Sequence, residues 1–477
     1  MTTVDRFEES LPGLLDELAR TDPSALIADV RMATVGSRQR PRLFAGLSSV
    51  LDRRDLRLVT GPIPPLLRVG LALALLLVAI AAAAVIAGAL RSVSPRPAEL
   101  VSAGTIPGSL SSPTVVALAD GRLVIVGDSG DAAIVRIFDP ASGTVAEMDT
   151  GLRSVSLLNA VTLGNGHVFL LGWQNADPVT DGRSVAWVLD PVTGRLTPPV
   201  LTLQPRFEPS VVALADGTAL VSGGVANPES TTTYATSERF DPRTNRFEEG
   251  PSVGSGRYGH EAIALPGGDV LFAGGSGVTS VVQDPGSAAS AVSLPIGTIE
   301  RLDPATGLTH AVGTLPDRGQ GGPIEIVVLP DRRVLIIPSQ SSSRYCGRHE
   351  FDPVTPFLFD PATDTLTTAA PVPHSVRAAV AIPDGRVVVA GTWAAIPGGC
   401  GAGGEYVEDS WVGIYDPMTG ETIESHNPIT GGGTLPIDVN LPIVAGALLP
   451  DGRVALLTED AVNGTPDAVD LLTVAPR

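Results

Sequence analysis

Lysine is absent from this chain of 477 residues, so its 32 basic residues are all arginine, against 51 aspartates and glutamates. The formal net charge is -19 at pH 7. A protein that binds a phosphate backbone presents a basic face, which is not expected from such an acidic surplus. The composition therefore argues against nucleic acid as a partner.

Aromatic and charged residues are also scarce, at 4% and 17%, whereas the chain has 53 glycines and 42 prolines. Many Val, Ala, Leu and Thr residues between frequent turn formers are typical of short strands joined by turns. No Gly-rich phosphate loop, Ser/His/Asp order or metal-binding helix motif stands out. The sequence therefore predicts an all-β fold without a recognisable catalytic motif.

One long apolar run, residues 69–90, carries no charge and lies between Arg68 and Arg91. As a helix it would be about 33 Å long, enough to cross the hydrocarbon core of a bilayer. A cleaved signal peptide is the alternative, although 68 residues precede the run and the usual n-region is short. Arginines crowd its N-terminal side, so the positive-inside rule predicts a cytoplasmic N-terminus and places the rest of the chain outside the cell membrane.

The predicted cytoplasmic head, residues 1–68, is nearly neutral, with 10 arginines and 9 acidic residues. Apolar residues recur at helical spacing in DRFEESLPGLLDELA, which predicts short amphipathic helices. The head resembles the helical preludes of some single-pass bacterial envelope proteins, including anti-sigma factors, but it lacks the His/Cys zinc ligands that many of those carry. A solvated spacer is therefore the favoured interpretation of the head.

Beyond the span, one short motif is repeated six times. The copies are IFDPASGTV from Ile137, VLDPVTGRL from Val188, RFDPRTNRF from Arg239, RLDPATGLT from Arg301, LFDPATDTL from Leu358 and IYDPMTGET from Ile414. Proline presets φ for the first corner of a turn, the aspartate can accept backbone N–H groups, and Gly, Asn or Asp closes the turn in the left-handed conformation. These aspartates are therefore expected to form turns, here called DP turns, and not to catalyse a reaction.

A second motif precedes the DP turns and consists of two apolar runs joined by a two-residue, Asp-Gly-like turn, which is a strong hairpin signal. Its seven copies are VVALADGRLVIVG from Val115, AVTLGNGHVFLLG from Ala160, VVALADGTALVSGG from Val211, AIALPGGDVLFAGG from Ala262, IVVLPDRRVLIIP from Ile326, AVAIPDGRVVVAG from Ala379 and AGALLPDGRVALLT from Ala445. The aspartates of the DP turns are 51, 51, 62, 57 and 56 residues apart, the period of a kelch-type propeller blade.

Seven hairpins but six DP turns leave the last blade one strand short. The stretch AELVSAGTI, residues 98–106, resembles the fourth strands elsewhere, and pairing it with AVDLLTV near the C-terminus would remove both sheet edges. The predicted fold is therefore an all-β, seven-bladed kelch-like β-propeller over residues 98–477, closed by an N-terminal strand. It follows the transmembrane helix, residues 69–90, after a linker, residues 91–97.

The stretch LADGTALVSGG…SERFDPRTNRF…GRYGHEAIALPGGDVLFAGG, residues 214–275, resembles the kelch-like repeats of the galactose oxidase central domain. Gly223–Gly224 and Gly274–Gly275 match the kelch double glycine. The resemblance implies the propeller fold. That family's copper site uses two tyrosines, one of them cross-linked to a cysteine, and two histidines. No set of residues here matches it one by one, and the C-terminal domain that supplies one ligand is missing, so no cofactor is expected.

The two faces of such a ring differ in their connections. The Asp-Gly and DP turns form one face, here called the short-turn face, and the remaining connections form the long-loop face. The long connections are residues 172–185, 224–236, 275–297, 338–355, 391–410 and 423–441. Variable loops on a rigid scaffold commonly bind ligands. The candidate ligand-binding residues there are Arg206, Arg257, His260, Arg377, Trp173 and Trp393. The alternative is that these residues cap the channel and bond to loop carbonyls.

Cys346 and Cys400 lie in loops of the same type in neighbouring blades. Because the compartment outside the membrane is often oxidising, a disulfide between them is predicted. Zinc held by these two residues and His349 is the alternative, although no further ligand stands at a known spacing. A glycosidase pair such as Glu405 and Asp409 is conceivable, but nothing distinguishes these acids from the others.

Three classes of function remain. The first is a membrane-tethered propeller that binds a protein or carbohydrate ligand through its long-loop face. The second is a signal transducer that passes the state of the propeller to the cytoplasmic head, and the third is a carbohydrate oxidase or hydrolase. The missing catalytic motifs favour binding over catalysis.

Overall fold

The computed structural model describes thirteen segments that belong to one compact unit, Ser94–Arg477. The segments are residues 98–108, 110–129, 132–148, 155–174, 182–230, 232–282, 290–315, 324–338, 353–395, 407–426, 435–438, 443–458 and 467–476. The predicted head (1–68), span (69–90) and linker (91–97) lie outside them. Within these segments no helix is long and apolar enough to cross a membrane.

The described chain folds into seven blades, each a sheet of four or five strands. After β1 (Ala98–Thr105), blade 1 consists of β2 (Ser111–Ala117), β3 (Leu123–Ser129), β4 (Ala132–Asp139) and β5 (Thr144–Met148). Blade 2 consists of β6 (Val155–Thr162), β7 (Val168–Gln174), β8 (Arg183–Asp190) and a split outer strand, β9 (Arg195–Leu196) and β10 (Val200–Leu201). Blade 3 consists of β11 (Ser210–Ala213), β12 (Ala219–Ser222), β13 (Ser237–Asp241) and β14 (Arg246–Glu249).

Blade 4 contains an inserted hairpin in addition to its own four strands. Its strands are β15 (Glu261–Ala264), β16 (Val270–Ala273), β19 (Thr298–Asp303) and β20 (Leu308–Thr314), and the hairpin is β17 (Ser276–Val282) and β18 (Ser290–Pro295). Blade 5 consists of β21 (Ile324–Val328), β22 (Val334–Pro338), β23 (Phe357–Asp360) and β24 (Thr365–Thr368). Blade 6 consists of β25 (Ala378–Ala381), β26 (Val387–Ala395), β27 (Val407–Tyr415), β28 (Thr422–His426) and β29 (Leu435–Asp438).

Blade 7 consists of β30 (Ile443–Leu448), β31 (Val454–Thr458), β32 (Ala468–Val474) and, as its outermost strand, β1. Strand β1 pairs antiparallel with β32 from Ala98 opposite Val474 to Thr105 opposite Ala468. The chain between β1 and β2 is also fastened to this blade, because the Leu110 backbone N–H donates to Asp467 Oδ2 at 3.0 Å. The predicted closure by an N-terminal strand is confirmed.

The first strand of each blade lies innermost and contacts the first strands of both neighbouring blades, which makes a closed ring. Seven hydrophobic clusters fill the seven spaces between adjacent blades. Because each blade is covered on both faces, several second strands, such as β12 and β16, are buried along their whole length. This explains why they read as continuous apolar runs and not as alternating ones.

All six DP turns have the predicted geometry. The aspartate accepts the backbone N–H two residues further on at 2.8 to 2.9 Å. The closing residue has a φ between 51° and 76° and is Gly143, Gly194, Asn245, Gly307, Asp364 or Gly420. Six short turns therefore use the same backbone geometry with three different closing residues.

The first hairpins differ from the prediction in loop length. In blade 1 the Leu118 N–H donates to Arg122 O at 2.8 Å and the Gly121 N–H donates to Leu118 O at 3.0 Å. This pattern encloses three residues, a β-turn followed by a left-handed residue, in place of the predicted two. The left-handed residue is glycine in six blades and Arg332, with a φ of 73°, in blade 5.

Candidate ligand site at the channel mouth

Arg206, a predicted ligand-binding residue, is 1% exposed and bonded to the protein itself. Its Nε donates to Glu238 Oε1 at 2.8 Å and its Nη1 donates to Gly223 O at 2.7 Å. The guanidinium also lies over the ring of Tyr234, 5.2 Å from the ring centroid. The structure therefore gives this side chain a structural role between the strands of blade 3.

Arg257 repeats this arrangement one blade further on and is fully buried. Its Nη2 pairs with Glu300 Oε2 at 2.8 Å, and its Nη1 donates to Gly274 O at 3.1 Å. Gly223, the first glycine of the pair in blade 3, has a φ of 65°, and a Cβ there would overlap the carbonyl oxygen of Arg257. The double glycines thus let the chain turn sharply beside the buried arginines.

His260 is 3% exposed, and its Nε2 lies 3.1 Å from Ser222 Oγ. Burial, together with the charge of Arg257, lowers its pKa to about 3, so the imidazole is neutral at physiological pH. Trp173 is also buried and meets Phe207 edge to face, with ring centroids 5.4 Å apart. Both side chains therefore pack inside the ring.

The remaining predicted site residues are distributed differently. Arg377 is exposed and stands immediately before β25, where its backbone N–H donates to Ala390 O at 2.8 Å. Trp393 lies in β26, but its side chain is outside the described part of the structure. Cys346 and Cys400 are also outside the described residues, so their disulfide stays a prediction.

Three carboxylates lie, like Arg377, close to the start of an innermost strand, although not at one common position. Glu208 precedes β11, Glu261 opens β15 and Glu325 is the second residue of β21. First strands begin at the long-loop face and line the central channel. Glu208, Glu261, Glu325 and Arg377, here called the mouth residues, therefore follow one another over blades 3 to 6.

Burial raises the pKa of all three carboxyl groups. The pKa of Glu261 is about 7, because the ring removes bulk solvent although water in the channel still reaches the side chain. The pKa of Glu325 is about 8, chiefly through burial and secondly through the charge of Glu261, while a backbone hydrogen bond from Ala379 opposes the rise. The pKa of Glu208 is raised by burial alone. At neutral pH the neighbouring pair Glu261 and Glu325 therefore retains a proton.

Such a mouth can donate and accept hydrogen bonds and can hold charge. A protonated carboxyl group donates and accepts, an ionised one only accepts, and the guanidinium of Arg377 only donates. This combination suits a ligand rich in hydroxyl, amide or cationic groups. Within the described segments no group of three or more His, Cys, Asp or Glu residues is arranged to hold a metal ion.

Sequence reasoning missed the mouth carboxylates, although a signal for them exists. A leucine or isoleucine directly follows each first strand and gives a common reference. Glu261 and Glu325 both stand four residues before it. The other blades have Thr114, Asn159, Ser210, Ala378 and Ala445 at that position. Two adjacent acids in an otherwise uncharged ring would have distinguished these residues from the remaining carboxylates.

No known protein family matches the chain, and no curated protein matches it either. Solved structures do. A streptogramin B lyase structure has a TM-score of 0.51 at 12% identity and covers 79% of this chain and 98% of its own. A catalytically inactive virginiamycin B lyase from Staphylococcus aureus with quinupristin has a TM-score of 0.50 at 11% identity and covers 79% and 100%. At such low identity the likeness concerns the fold alone, and together with the seven sheets it makes the described part of this chain an all-β, seven-bladed propeller.

Proposed function

We propose that this protein is a kelch-type propeller anchored in the cell membrane by residues 69–90. The propeller lies outside the membrane and binds a protein or carbohydrate ligand through its long-loop face. The observation that carries the proposal is the contrast between the two faces of the ring. One face is built from repeated short turns, whereas the other has connections of many lengths.

The short-turn face offers little variety for recognition. Its six DP turns have one backbone geometry, and most of their polar side chains bond within the turn. On the long-loop face, blade 4 inserts a hairpin (β17 and β18), and β26 and β27 of blade 6 extend to nine residues each. Loops that vary on a constant scaffold are where propellers and other rigid folds carry specificity.

The mouth residues supply the chemistry for recognition. Three carboxyl groups and one guanidinium stand near the starts of the innermost strands of four consecutive blades, next to these long connections. Carboxylate and guanidinium groups bind sugar hydroxyls and peptide groups with directional hydrogen bonds. Placement outside the membrane rests on the apolar run and on the arginines that precede it.

The test compares two exposed arginines on opposite faces. The full chain, purified in detergent, is used as bait against envelope extract and against a carbohydrate array. Arg377→Ala changes the channel mouth, and Arg243→Ala, at a side chain 85% exposed on the short-turn face, is the matched control. We expect Arg377→Ala to reduce the bound ligand about tenfold, because one hydrogen bond from a charged group is lost. Arg243→Ala should leave binding intact. Equal binding by both variants would place recognition elsewhere.

A further inference from the structure

We propose that the short-turn face rests on the lipid bilayer, so that the long-loop face points away from the membrane. The inference rests on the proposed membrane anchor and adds an interaction surface to it. Its partner is a lipid surface. Three features of the described ring carry it: where the chain enters, which apolar side chains are exposed, and how charge is compensated.

The topology fixes the face at which the chain enters the ring. The third strands of blades 1 to 6 each run towards a DP turn, so they end at the short-turn face. Strand β32 is the third strand of blade 7 and ends at Val474, which pairs with Ala98. Strand β1 therefore begins at the short-turn face and runs towards the long-loop face.

The linker is too short to let the ring turn over. Residues 91–97, fully extended, span at most about 25 Å. A strand of eight residues such as β1 already covers about 26 Å between the two faces. Bringing the long-loop face to the bilayer would use the entire linker along the edge of blade 7. The short-turn face meets the bilayer without that constraint.

The three most exposed large apolar side chains of the described residues lie on this same face. Val192, Leu308 and Met418 are 82%, 70% and 62% exposed. They stand at the DP turns of blades 2, 4 and 6, so they alternate around the ring and can all touch one plane. A single exposed apolar residue is ordinary. Three at the edge where the chain leaves for the membrane form a set that fits the interfacial layer of a bilayer.

Charge at several hairpin turns of the short-turn face is compensated within the turn. Four of the seven hairpin turns pair an aspartate with the arginine two residues further on, within 2.7 Å: Asp120 with Arg122, Asp331 with Arg333, Asp384 with Arg386 and Asp451 with Arg453. A chain with a net charge of -19 would otherwise be repelled by an anionic lipid surface. Pairing removes the net charge of these four turns, whereas Asp139, Asp190 and Asp303 of the DP turns accept hydrogen bonds from turn N–H and hydroxyl groups and stay charged.

The test uses lipid photo-crosslinking from two exposed leucines of blade 4. Leu308 is on the short-turn face, and Leu294, 46% exposed in β18, is the matched control on the long-loop face. The full chain, with p-benzoylphenylalanine at one of the two positions, is reconstituted in vesicles of phosphatidylethanolamine and phosphatidylglycerol. Mass spectrometry then counts lipid adducts, and we expect about tenfold more at position 308, because hydrocarbon lies within reach of one face only.

Flotation of the vesicles after a carbonate wash separates this inference from the proposed anchor. If the protein floats and position 294 gives as many adducts as position 308, or neither position gives any, the orientation is overturned while the anchor stands. If the protein does not float, the anchor fails and the orientation fails with it. Adducts at position 308 in floating vesicles support both.

Discussion

At the scale of single residues, each buried arginine is predicted to stabilise its own blade, Arg206 in blade 3 and Arg257 in blade 4. Arg206→Met leaves the carboxylate of Glu238, which is 2% exposed, without its cationic partner. Breaking a buried pair on one side is expected to lower the free energy of unfolding by about 3 kcal/mol. Chemical denaturation measures the loss. The control is Arg243→Met, at an exposed ion pair, which should leave the unfolding midpoint unchanged. Equal effects of the two changes would contradict the structural role of Arg206.

The mouth carboxylates predict how stability depends on pH. Glutamate titrates near 4.5 in the unfolded chain, and Glu325 titrates near 8 in the folded ring. The folded state therefore holds a proton that the unfolded state releases between these pH values, so the free energy of unfolding falls as pH rises through this window. Glu325→Gln removes the titrating group and also relieves the repulsion of Glu261. Between pH 5 and pH 8 the melting temperature of this variant should fall by about 2 °C less than that of the parent protein.

Differential scanning calorimetry at several pH values tests this prediction. The control is Glu248→Gln on the exposed outer strand of blade 3, whose curve should run parallel to that of the parent. If Glu325→Gln also ran parallel to the parent, the proton held in the channel would not be linked to stability.

Residue roles were harder to predict than residue positions. The common offset of Arg206 and Arg257 in their repeats was visible in the sequence, but their partners Glu238 and Glu300 lie 32 and 43 residues further along the chain. Only the folded blade brings these groups together, so that the guanidinium N–H groups donate to acceptors within the protein. Glu261 and Glu325 were inconspicuous for the opposite reason, since their environment comes from the ring around them and not from their neighbours in sequence.

At the scale of elements, the seven hairpin turns offer a matched pair of substitutions. Gly385 in blade 6 has a φ of 90° with no other atom near the position of a Cβ, so Gly385→Ala tests backbone strain alone. We expect a loss of about 1 kcal/mol in the free energy of unfolding. Arg332 adopts a φ of 73° at the equivalent position in blade 5, and Arg332→Gly should stabilise the protein by up to about 1 kcal/mol.

Urea denaturation of both variants beside the parent measures these changes. The two substitutions should shift the midpoint in opposite directions. A shift in the same direction for both would mean that contacts of the side chains, and not the left-handed backbone, control these turns.

The strands themselves were largely predictable because each repeat carries its own turn chemistry. Seven hairpins and six DP turns are enough to locate most first, second and third strands in the sequence. The inserted hairpin of blade 4 was visible only as a long connection between Gly275 and Gly297. Its pairing, Ser276 opposite Pro295 at one end, could not be predicted from the repeats, although the bridge between Tyr258 and Ser276 repeats the one between Phe207 and Val225 in blade 3.

At the scale of the whole molecule, closure of the ring was predictable from counting strands. A blade that lacks its fourth strand leaves a sheet edge, and the first strand of the chain was the unit left over. Its attachment goes beyond strand pairing. Ala98 and Leu100 join the hydrophobic cluster between blades 6 and 7, and Ile106 is buried in the cluster between blades 7 and 1. Strand β1 therefore connects both spaces that flank blade 7.

The last prediction follows from this double role of β1. We compare a chain that starts at Ser92 with one that starts at Pro107 and so lacks β1 and Ile106. Removing the strand exposes the edge of β32 and takes Ala98, Leu100 and Ile106 from two clusters. Leu100 and Ile106 at about 2 kcal/mol each, with a smaller contribution from Ala98, should cost about 4 kcal/mol. The melting temperature should fall by about 5 °C, and size-exclusion chromatography should show aggregates formed through the free edge. The chain from Ser92 should remain monodisperse. If the two chains melted together and eluted alike, β1 would not close the ring in solution.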